Sequence, residues 1–466
     1  MLGAKQGDHT MAYSKNILEL IGDTPLVKLN RVVPDNGTVV LAKCEFLNPA
    51  GSIKDRMALH IIEKAEKAGQ LRKGATIVEN TSGNTGAAVA MTAAVKGYRC
   101  IFTMPDKMSQ EKIDLLKAFG AKVVVTPTNV PPDSPLSYYE TAKRIARETP
   151  GSFYLNQYHN PDNIEAHYRS TGPEIWEQTG GKMDVFVAGI GTGGTMSGAG
   201  RFLKEKNPRI RNVAVDPEGS VYAGYFKTGK LPPAHVYKVE GIGEDMLCKA
   251  MDFKVLDDVI TVNDRECFQM ARRLSREEGL FAGGSSGGAV SAAVQVAKGL
   301  PRGKIVVAIL PDSGSRYLSK FYNDDWMRDH GFLGADAKKG TVADLVKSRR
   351  QKLVSVRRSE KVQQAATKMK RFGISQLPVV DDKGLAVGMV HEVDLLNAML
   401  KGRHVWTKKV DSLMAPLQGA VRPSDSLSRL SEILSQDNVA VVVDAGKPLA
   451  VIAKIDWIDH LARHAH

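Results

Sequence analysis

The sequence of 466 residues has few cysteines, no long apolar run and no secretory signal. Its longest weakly polar segment, GAAVAMTAAV from Gly86, is far shorter than the roughly 20 residues that a membrane-spanning helix needs. The N-terminus has no apolar region followed by a small-residue cleavage site, so we interpret residues 1–13 as a leader. No two cysteines form a C-x-x-C pair, which disfavours structural zinc and favours a reducing compartment, the cytoplasm. The four cysteines are Cys44, Cys100, Cys248 and Cys267.

The charge also lacks the organisation that nucleic-acid binding requires. The formal net charge is +13, but the basic residues are spread thinly among predicted helices and turns. No basic stripe interleaved with aromatic residues and no known DNA- or RNA-binding motif accompanies them. We therefore expect neither nucleic acid nor a membrane as a partner.

Short apolar segments alternate with helical ones from residue 39 to about residue 315. Examples are VVLAKCE, TIVEN, RCIFTMP, DVFVAGI, NVAVDP and KIVVAILPD, which lack a strict polar alternation. This pattern predicts an α/β domain in which helices cover both faces of a mainly parallel sheet. Ligands of such sheets bind beyond the carboxyl ends of the strands, where glycine-rich loops occur in this chain.

The C-terminal part has a different pattern, which occurs twice. ISQLPVVDDKGLAVGMVHEVDLLNAML aligns with NVAVVVDAGKPLAVIAKIDWIDHLARH, and each segment predicts two strands and a closing helix. Duplicated units usually bury a shared face against each other. We predict a first domain over residues 14–330, a linker over 331–341, and an α+β tandem repeat over 342–466, with copies at 342–400 and 408–464.

The first glycine-rich loop, ENTSGNTGAAVA, follows a predicted strand and opens a helix. Its hydroxyl and amide side chains, together with the helix N-terminus, can bind a carboxylate or a phosphate. A well-made helix cap gives the same pattern, so both interpretations remain open at this point. The side chains concerned are Thr81, Ser82, Asn84 and Thr85.

The second loop, VFVAGIGTGGTMSGAG, matches G-x-G-x-x-G from Gly189, and Asp216 follows about twenty residues later. An NAD-dependent oxidoreductase is therefore one hypothesis. The same backbone N–H groups at a helix N-terminus also bind a phosphate monoester. The motif comes late in the chain rather than at its first strand, and Thr192 and Thr195 supply hydroxyls. Both features favour a terminal phosphate over a dinucleotide.

The third loop, GLFAGGSSGGAVSAA, places Ser285 at the start of another predicted helix. A neutral hydroxyl suits an unprotonated ring nitrogen, although a simple glycine-rich helix start would look similar. Lys54, in NPAGSIKDR, also stands at a predicted helix start, where a cation is electrostatically unfavourable. Such a lysine either extends to solvent or is an amine with a lowered pKa that forms a Schiff base.

Together these parts match pyridoxal 5′-phosphate, which has an aldehyde, a 3′-oxygen, a phosphate and a pyridine nitrogen. The motifs NPAGSIKDR, ENTSGNTG, MPDKMSQEKIDLL, GTGGT and GGSSGG, in this order, resemble the fold-type II pyridoxal phosphate enzymes of β-replacement. These are the cystathionine β-synthases and the O-acetylserine sulfhydrylases, and the resemblance covers about residues 14–325. It implies a tryptophan synthase β-like fold with two open, mainly parallel sheets.

The resemblance also implies roles for individual residues. Lys54 is the Schiff-base lysine and the catalytic base, Asn84 holds the 3′-oxygen, and Ser285 faces the pyridine nitrogen. The implied phosphate contacts are Gly191, Thr192, Gly193, Gly194 and Thr195. The expected substrate residues are Thr81, Ser82, Thr85 and Gln157, which form an α-carboxylate clamp, and Tyr158, Gly241 and Glu244. Glu244 either positions the second substrate or is a solvated loop carboxylate.

The segments NQYHN, VDPEGS and YKVEGIGEDM and the tandem repeat resemble the cystathionine β-synthases more than the sulfhydrylases. They predict condensation of L-serine with L-homocysteine to L-cystathionine and water, with release of hydrogen sulfide from cysteine as a further activity. A cysteine synthase, an NAD-dependent oxidoreductase and a catalytically inactive nucleotide sensor remain alternatives. We expect a homodimer or a homotetramer.

Two departures from the family pattern bear on haem and on regulation. The leader contains no cysteine, so the Cys-Pro haem ligand of animal synthases is missing, and we expect neither haem nor a metal. Nucleotide-binding repeats carry Thr or Ser three residues before an Asp; here Asp394 and Asp456 follow His391 and Ala453. The two aspartates either hold a ribose or cap helices. We predict no strong activation by S-adenosylmethionine or an adenine nucleotide, and contacts between subunits instead.

Overall fold

The computed structural model describes residues 13–81, 83–106, 108, 110–128, 130–131, 133–333, 340–347, 353–400, 403–417, 419–436 and 439–463. Ser82 and part of the predicted linker lie outside these ranges. The chain forms two compact units, which divide between Phe321 and Tyr322. None of the helices within the described ranges is both long and apolar enough to cross a membrane.

The first unit contains two open sheets. Its strands are β1 (Leu26–Lys28), β2 (Val39–Cys44), β3 (Thr76–Asn80), β4 (Arg99–Pro105), β5 (Lys122–Thr126), β6 (Phe153–Tyr154), β7 (Val185–Gly189), β8 (Arg211–Pro217), β9 (Asp258–Val262) and β10 (Ile305–Leu310). The larger sheet has the order β1-β2-β10-β7-β8-β9 and is parallel except for β1. The smaller sheet, β5-β4-β3-β6, is parallel throughout. The predicted α/β fold with mainly parallel sheets is confirmed.

Helices cover the sheets of the first unit. They are α1 (Lys54–Lys67), α2 (Asn84–Lys96), α3 (Gln110–Ala118), α4 (Tyr138–Glu148), α5 (Asp162–Arg169), α6 (Thr171–Gln178), α7 (Gly194–Lys206), α8 (Tyr222–Thr228), α9 (Asp264–Arg273), which continues as a π-helical turn over Leu274–Glu278, and α10 (Gly284–Lys298). In α1 the buried residues Met57, Ile61 and Ala65 recur every four positions and form one apolar stripe. Every residue of β3 is buried, as expected for a parallel strand covered on both faces.

A buried network of charges holds the start of α1 in place. The Arg56 guanidinium donates to Glu45 Oε2 at 2.8 Å and to Glu174 Oε2 at 2.8 Å. The ammonium of Lys43 pairs with Glu174 and also donates to Gln178 Oε1 at 2.8 Å. Because Arg56 is two residues after Lys54, this network fixes the helix turn that carries the predicted Schiff-base lysine.

The second unit contains two small sheets with the same strand directions. Its elements are α11 (Asp324–Asp329), α12 (Val342–Lys347), β11 (Val356–Arg357), α13 (Val362–Phe372), β12 (Gln376–Val380), β13 (Ala386–His391), α14 (Glu392–Leu400), β14 (Ala415–Pro416), β15 (Ala420–Val421), α15 (Leu427–Gln436), β16 (Val439–Asp444), β17 (Lys447–Ala453) and α16 (Lys454–Arg463). β11 runs parallel to β12 and β12 antiparallel to β13. β15, β16 and β17 repeat this arrangement, as the aligned segments predict.

Candidate active site

Three segments far apart in the chain meet beyond the carboxyl end of β10. Ser52, just before α1, pairs with Asp312, and the Ile53 N–H donates to the Pro311 carbonyl at 2.8 Å. The Gly283 N–H, just before α10, donates to the Asp312 carbonyl at 3.0 Å. The starts of α1 and α10 are thus hydrogen-bonded to the same short segment, at the edge of the sheet where ligands of parallel sheets bind.

Lys54 is the first residue of α1 and is half-buried. Burial lowers the pKa of its amine, while the negative charges of Asp312 and Glu244 act in the opposite direction. A lysine with a lowered pKa is more often neutral and is then a better nucleophile. The surroundings of Lys54 therefore suit imine formation.

Asn84, the first residue of α2, has a fixed orientation. Its Nδ2 donates to Asp312 Oδ2 at 2.8 Å, and its Oδ1 accepts from the Arg316 guanidinium. The Tyr317 hydroxyl donates to the same Asp312 oxygen at 2.6 Å. One Nδ2 hydrogen of Asn84 remains to donate to a ligand oxygen. Sequence analysis missed Asp312 and Arg316, although PDSGSR follows the apolar segment KIVVAIL, where a site is expected.

The loop between β7 and α7, which contains the predicted phosphate contacts, leaves no space for a side chain at its glycine positions. A Cβ on Gly191 would lie 2.9 Å from the Gly241 carbonyl oxygen. A Cβ on Gly193, which has a φ of +91°, would lie 2.6 Å from the Met251 Cα. Only glycine fits such positions, and the bare backbone can then approach a ligand closely. Gly194 begins α7, so helix N–H groups point into this loop and can bind a phosphate.

Two polar residues of α5 support the hydroxyls of this loop. Asn163 Nδ2 donates to Thr192 Oγ1 at 3.0 Å, and His167 Nε2 lies 3.3 Å from Thr195 Oγ1. Burial lowers the pKa of His167 well below its usual range, so the ring is neutral. No sequence motif marks Asn163 or His167, and only the packing of α5 on α7 brings them to the loop.

Ser285, the second residue of α10, is 2% exposed and lies close to the loop that contains Gly241. A Cβ on Gly241 would be 3.7 Å from Ser285 Oγ, while the backbone of the same glycine contacts Gly191. Gly241 therefore lies between the ring-nitrogen residue and the phosphate loop that the sequence predicts. The amine, amide, hydroxyl and N–H groups of this region fit the aldehyde, 3′-oxygen, ring nitrogen and phosphate of pyridoxal phosphate.

The described members of the predicted carboxylate clamp lie together. Thr81 Oγ1 accepts from the N–H groups of Gly83 at 3.0 Å and Gly86 at 3.1 Å, and its own hydrogen remains available. Thr85 Oγ1 donates to Gln157 Oε1 at 2.6 Å. Ser82, predicted with them, lies outside the described residues.

Glu79, which sequence analysis did not identify, holds the backbone next to the predicted clamp residue Gln157. Its carboxylate accepts from the N–H groups of Asn156 at 2.6 Å and Gln157 at 3.3 Å. Burial raises the pKa of Glu79 to about 8, against the lowering effect of these two hydrogen bonds. The carboxyl group thus fixes the backbone that carries the Gln157 side chain.

Tyrosines and one acidic residue line another part of the site. The hydroxyls of Tyr138 and Tyr158 lie 3.2 Å apart, and Tyr139 packs edge-on against Tyr158 at 5.4 Å. Burial raises the pKa of Glu244 to about 8; the charge of Asp245 adds to this rise and that of Lys54 opposes it. Among the described residues, no group of three or more His, Cys, Asp or Glu side chains is arranged to hold a metal ion.

The two aspartates predicted as regulatory residues lie in the second unit and accept backbone hydrogen bonds at helix starts. Asp394 Oδ2 accepts from the His391 N–H at 3.1 Å, ahead of α14. Asp456 Oδ2 accepts from the Ala453 N–H at 2.7 Å, ahead of α16. These contacts agree with the capping interpretation of both residues.

Comparison with known proteins assigns the chain to a class. Residues 17–312 match the family described as pyridoxal-phosphate dependent enzyme, and residues 342–401 match the CBS domain. The chain therefore belongs to the pyridoxal-phosphate dependent enzymes, as its fold and site indicate. Within them it belongs with the cystathionine β-synthases, since it is 44% identical to that enzyme of Oryctolagus cuniculus over 92% of this chain and 79% of the rabbit protein.

Two shorter relatives match about two thirds of the chain. The cysteine synthase of Staphylococcus aureus is 46% identical over 65% of this chain and 95% of its own. The crystal structure of the O-acetylserine dependent cystathionine beta-synthase from Helicobacter pylori has a TM-score of 0.61 and 38% identity, covering 66% of this chain and 99% of that one. The chain is thus a pyridoxal phosphate-dependent lyase of β-replacement chemistry with small-molecule substrates, and the dinucleotide hypothesis for GIGTGG is wrong.

Proposed function

We propose that this enzyme condenses L-serine with L-homocysteine to L-cystathionine and water. The observation that carries the proposal is the extent of similarity. The rabbit cystathionine β-synthase matches 92% of the chain, including most of the second unit, whereas the cysteine synthase matches 65%. Glu244, whose charge acts on Lys54, and the paired hydroxyls of Tyr138 and Tyr158 add polar groups suited to an amino-acid second substrate.

The residues that hold the cofactor in this proposal are those that the geometry brings together. Lys54 would bond to the aldehyde carbon, Asn84 would donate to the 3′-oxygen, Ser285 would face the ring nitrogen, and the backbone of residues 191–195 would bind the phosphate. Bound pyridoxal phosphate withdraws electrons from the α-carbon of an amino acid and so eases loss of its α-proton and of its β-substituent.

The remaining tasks fall to groups of this chain. Thr81, Thr85 and Gln157, with Ser82, bind the α-carboxylate of serine and so fix the face of the amino acid that meets Lys54. Once the amino group of serine has taken its place at the aldehyde carbon, the Lys54 amine is free and takes the α-proton. The resulting ammonium then protonates the departing hydroxide, because hydroxide is a poor leaving group without an acid. The thiol of the second substrate gives its proton to the Lys54 amine and adds at the β-carbon, and Lys54 returns that proton to the α-carbon.

A second candidate uses O-acetylserine instead of serine. The Helicobacter pylori structure, named as O-acetylserine dependent, is 38% identical to this chain and covers 66% of it. Acetate is a better leaving group than hydroxide and needs less help from a protonated Lys54. The two candidates therefore differ in the donor and share every residue described above.

Product identification tests the proposal. Purified enzyme is supplied with serine plus homocysteine, O-acetylserine plus homocysteine, and O-acetylserine plus sulfide, and the products are measured by mass spectrometry. We expect cystathionine from serine at a rate at least comparable to that from O-acetylserine. Cystathionine from O-acetylserine alone would support the second candidate, and cysteine as the only product would overturn both. Release of hydrogen sulfide from cysteine is measured in the same preparation.

The proposal extends to location, cofactors and assembly. All four cysteines are free and buried, which suits a reducing compartment, and we propose the cytoplasm. We propose that the enzyme works without haem or metal, which an absorbance spectrum and elemental analysis of the purified protein test. We propose a homodimer or homotetramer, which light scattering measures directly.

A further inference from the structure

Glu244 has a fixed backbone and an unengaged carboxyl group. Its N–H donates to Ser220 Oγ at 3.0 Å, and its carbonyl accepts from the Val221 N–H at 3.0 Å. The preceding Gly243 N–H donates to the Ile190 carbonyl at 2.7 Å, next to the phosphate loop. Among the described residues, no hydrogen bond or ion pair reaches the Glu244 carboxyl oxygens. The half-buried side chain is held in the site without a partner of its own.

The groups around Glu244 make this part of the site negative. The charges of Asp245 and Asp216 act on its carboxyl group, and that of Lys54 opposes them. The charge of Glu244 in turn helps to raise the pKa values of Tyr138 and Tyr158, after burial. These hydroxyls therefore stay protonated, and their oxygens can accept from a ligand cation. A buried carboxyl group among other acidic groups becomes ionised most easily when a cation binds beside it.

Lys54 cannot serve as the permanent partner of Glu244. The two side chains form no ion pair in the described structure, and in the proposed function Lys54 takes and returns a proton during each turnover. The amino group of the first amino acid is also engaged, because it is bonded to the cofactor. The ammonium that can pair with Glu244 therefore belongs to the second substrate.

We propose that Glu244 binds the ammonium group of an amino-acid thiol and so selects a homocysteine-type acceptor over thiols that lack an amine. This inference rests on the proposed function and adds the residue that sets acceptor specificity. A charge-assisted hydrogen bond between the ammonium and the carboxylate, with the Tyr138 and Tyr158 hydroxyls nearby, supplies the discrimination. Sulfide has no ammonium and gains nothing from this contact.

The test compares an acceptor that has an amine with two that lack it. With serine as donor, kcat and KM are measured for homocysteine, for 4-mercaptobutanoate, which is homocysteine without its amine, and for sulfide. We expect Glu244→Gln to lower kcat/KM for homocysteine roughly 10- to 100-fold, the loss of one hydrogen bond to a charged group. The kcat/KM values for 4-mercaptobutanoate and sulfide should change less than about threefold.

Two controls separate this role from a structural one. Asp245→Asn removes the same charge from the exposed neighbouring residue and should leave the preference for homocysteine unchanged. The absorbance change of the holoenzyme on addition of serine alone reports binding of the first substrate and should be the same in Glu244→Gln and the parent enzyme. The parent enzyme alone gives a further measurement, since it should prefer homocysteine to 4-mercaptobutanoate by roughly 10- to 100-fold.

Several results would overturn the inference. If Glu244→Gln lowers kcat/KM equally for all three acceptors and also slows the absorbance change on adding serine, then Glu244 acts on the leaving group. A parent enzyme that uses 4-mercaptobutanoate as well as homocysteine would contradict ammonium recognition even without the variant. If the parent enzyme forms no cystathionine from any donor, the proposed function itself has failed, which is a different result.

Discussion

Replacement of Glu174 by Gln tests the buried charge network that holds the start of α1. Burial acts to raise the pKa of Glu174, but the hydrogen bonds and charges of Arg56 and Lys43 outweigh it and lower the pKa to about 2, from an ordinary 4.5. One pKa unit corresponds to about 1.4 kcal/mol, so the network stabilises the folded state by about 3 kcal/mol through this carboxylate. In the variant, the fully buried ammonium of Lys43 would no longer have the Glu174 carboxylate as its partner. The Arg56 nitrogen that pairs with Glu174 would lose the same carboxylate. Breaking a buried ion pair in this way typically costs about 3–5 kcal/mol.

The pH dependence of this effect has a definite sign. Because the folded pKa of Glu174 lies below its ordinary value, its stabilising contribution is complete above about pH 4.5 and is lost as the pH falls toward about 2. The parent enzyme and Glu174→Gln should therefore differ most near neutral pH. Their difference should narrow steadily below about pH 4.5.

Thermal unfolding of both proteins, followed by circular dichroism at equal protein and cofactor concentrations, measures the effect. We expect Glu174→Gln to melt roughly 5–10 °C lower at neutral pH. Glu148→Gln is the matched control, because its pair with Arg144 is about half exposed on both sides and should change the stability by less than about 0.5 kcal/mol. Equal melting temperatures for Glu174→Gln and the parent enzyme would refute the argument, as would a difference that grows in acid.

Other perturbations test individual parts of the site. Lys54→Ala should abolish turnover and leave the circular dichroism spectrum unchanged; more than a few per cent of residual activity would contradict the assignment. Ser285→Asp should alter the absorbance of the bound cofactor and slow β-replacement by favouring a protonated ring nitrogen, and an unchanged spectrum would place Ser285 elsewhere. Gly193→Ala should weaken cofactor affinity at least tenfold in a fluorescence titration, since the new Cβ would overlap Met251. We titrate S-adenosylmethionine while following binding by calorimetry and the rate by cystathionine formation, and we expect no several-fold rate increase on binding. Micromolar binding with activation would contradict the capping roles of Asp394 and Asp456.

The motifs that carry most of the chemistry can be predicted because their local physics is visible in the sequence. Glycine-rich loops that follow an apolar strand and open a helix mark the positions of Gly191 and Ser285 from the order of residues alone. Lys54 stands out because a cation at a helix start is unfavourable unless it has a special task. The mainly parallel fold follows from apolar strands that alternate with helices.

The residues that support the site cannot be found in this way. Asn84 donates a hydrogen bond to Asp312, which is 228 positions later in the sequence. Nothing in the local sequence around either residue indicates that the two are partners. Glu79 lies in the strand β3, after Ile77 and Val78, and only the fold shows that its carboxyl group holds the backbone of Gln157. His167 lies in an ordinary helix whose packing on α7 decides its role. Supporting residues of this kind depend on tertiary topology, which local patterns do not encode.

The position of β10 in the larger sheet has a consequence for how the enzyme is made. β10 spans Ile305–Leu310 and lies between β2 and β7, although it is synthesised after every other strand of that sheet. Until it emerges from the ribosome, β2 has no parallel neighbour and Asp312 is not yet present to orient Asn84. Contacts that join such distant parts of a chain form slowly and leave earlier segments exposed in the meantime. Completion of the larger sheet and orientation of Asn84 are therefore both late events in the folding of the nascent chain.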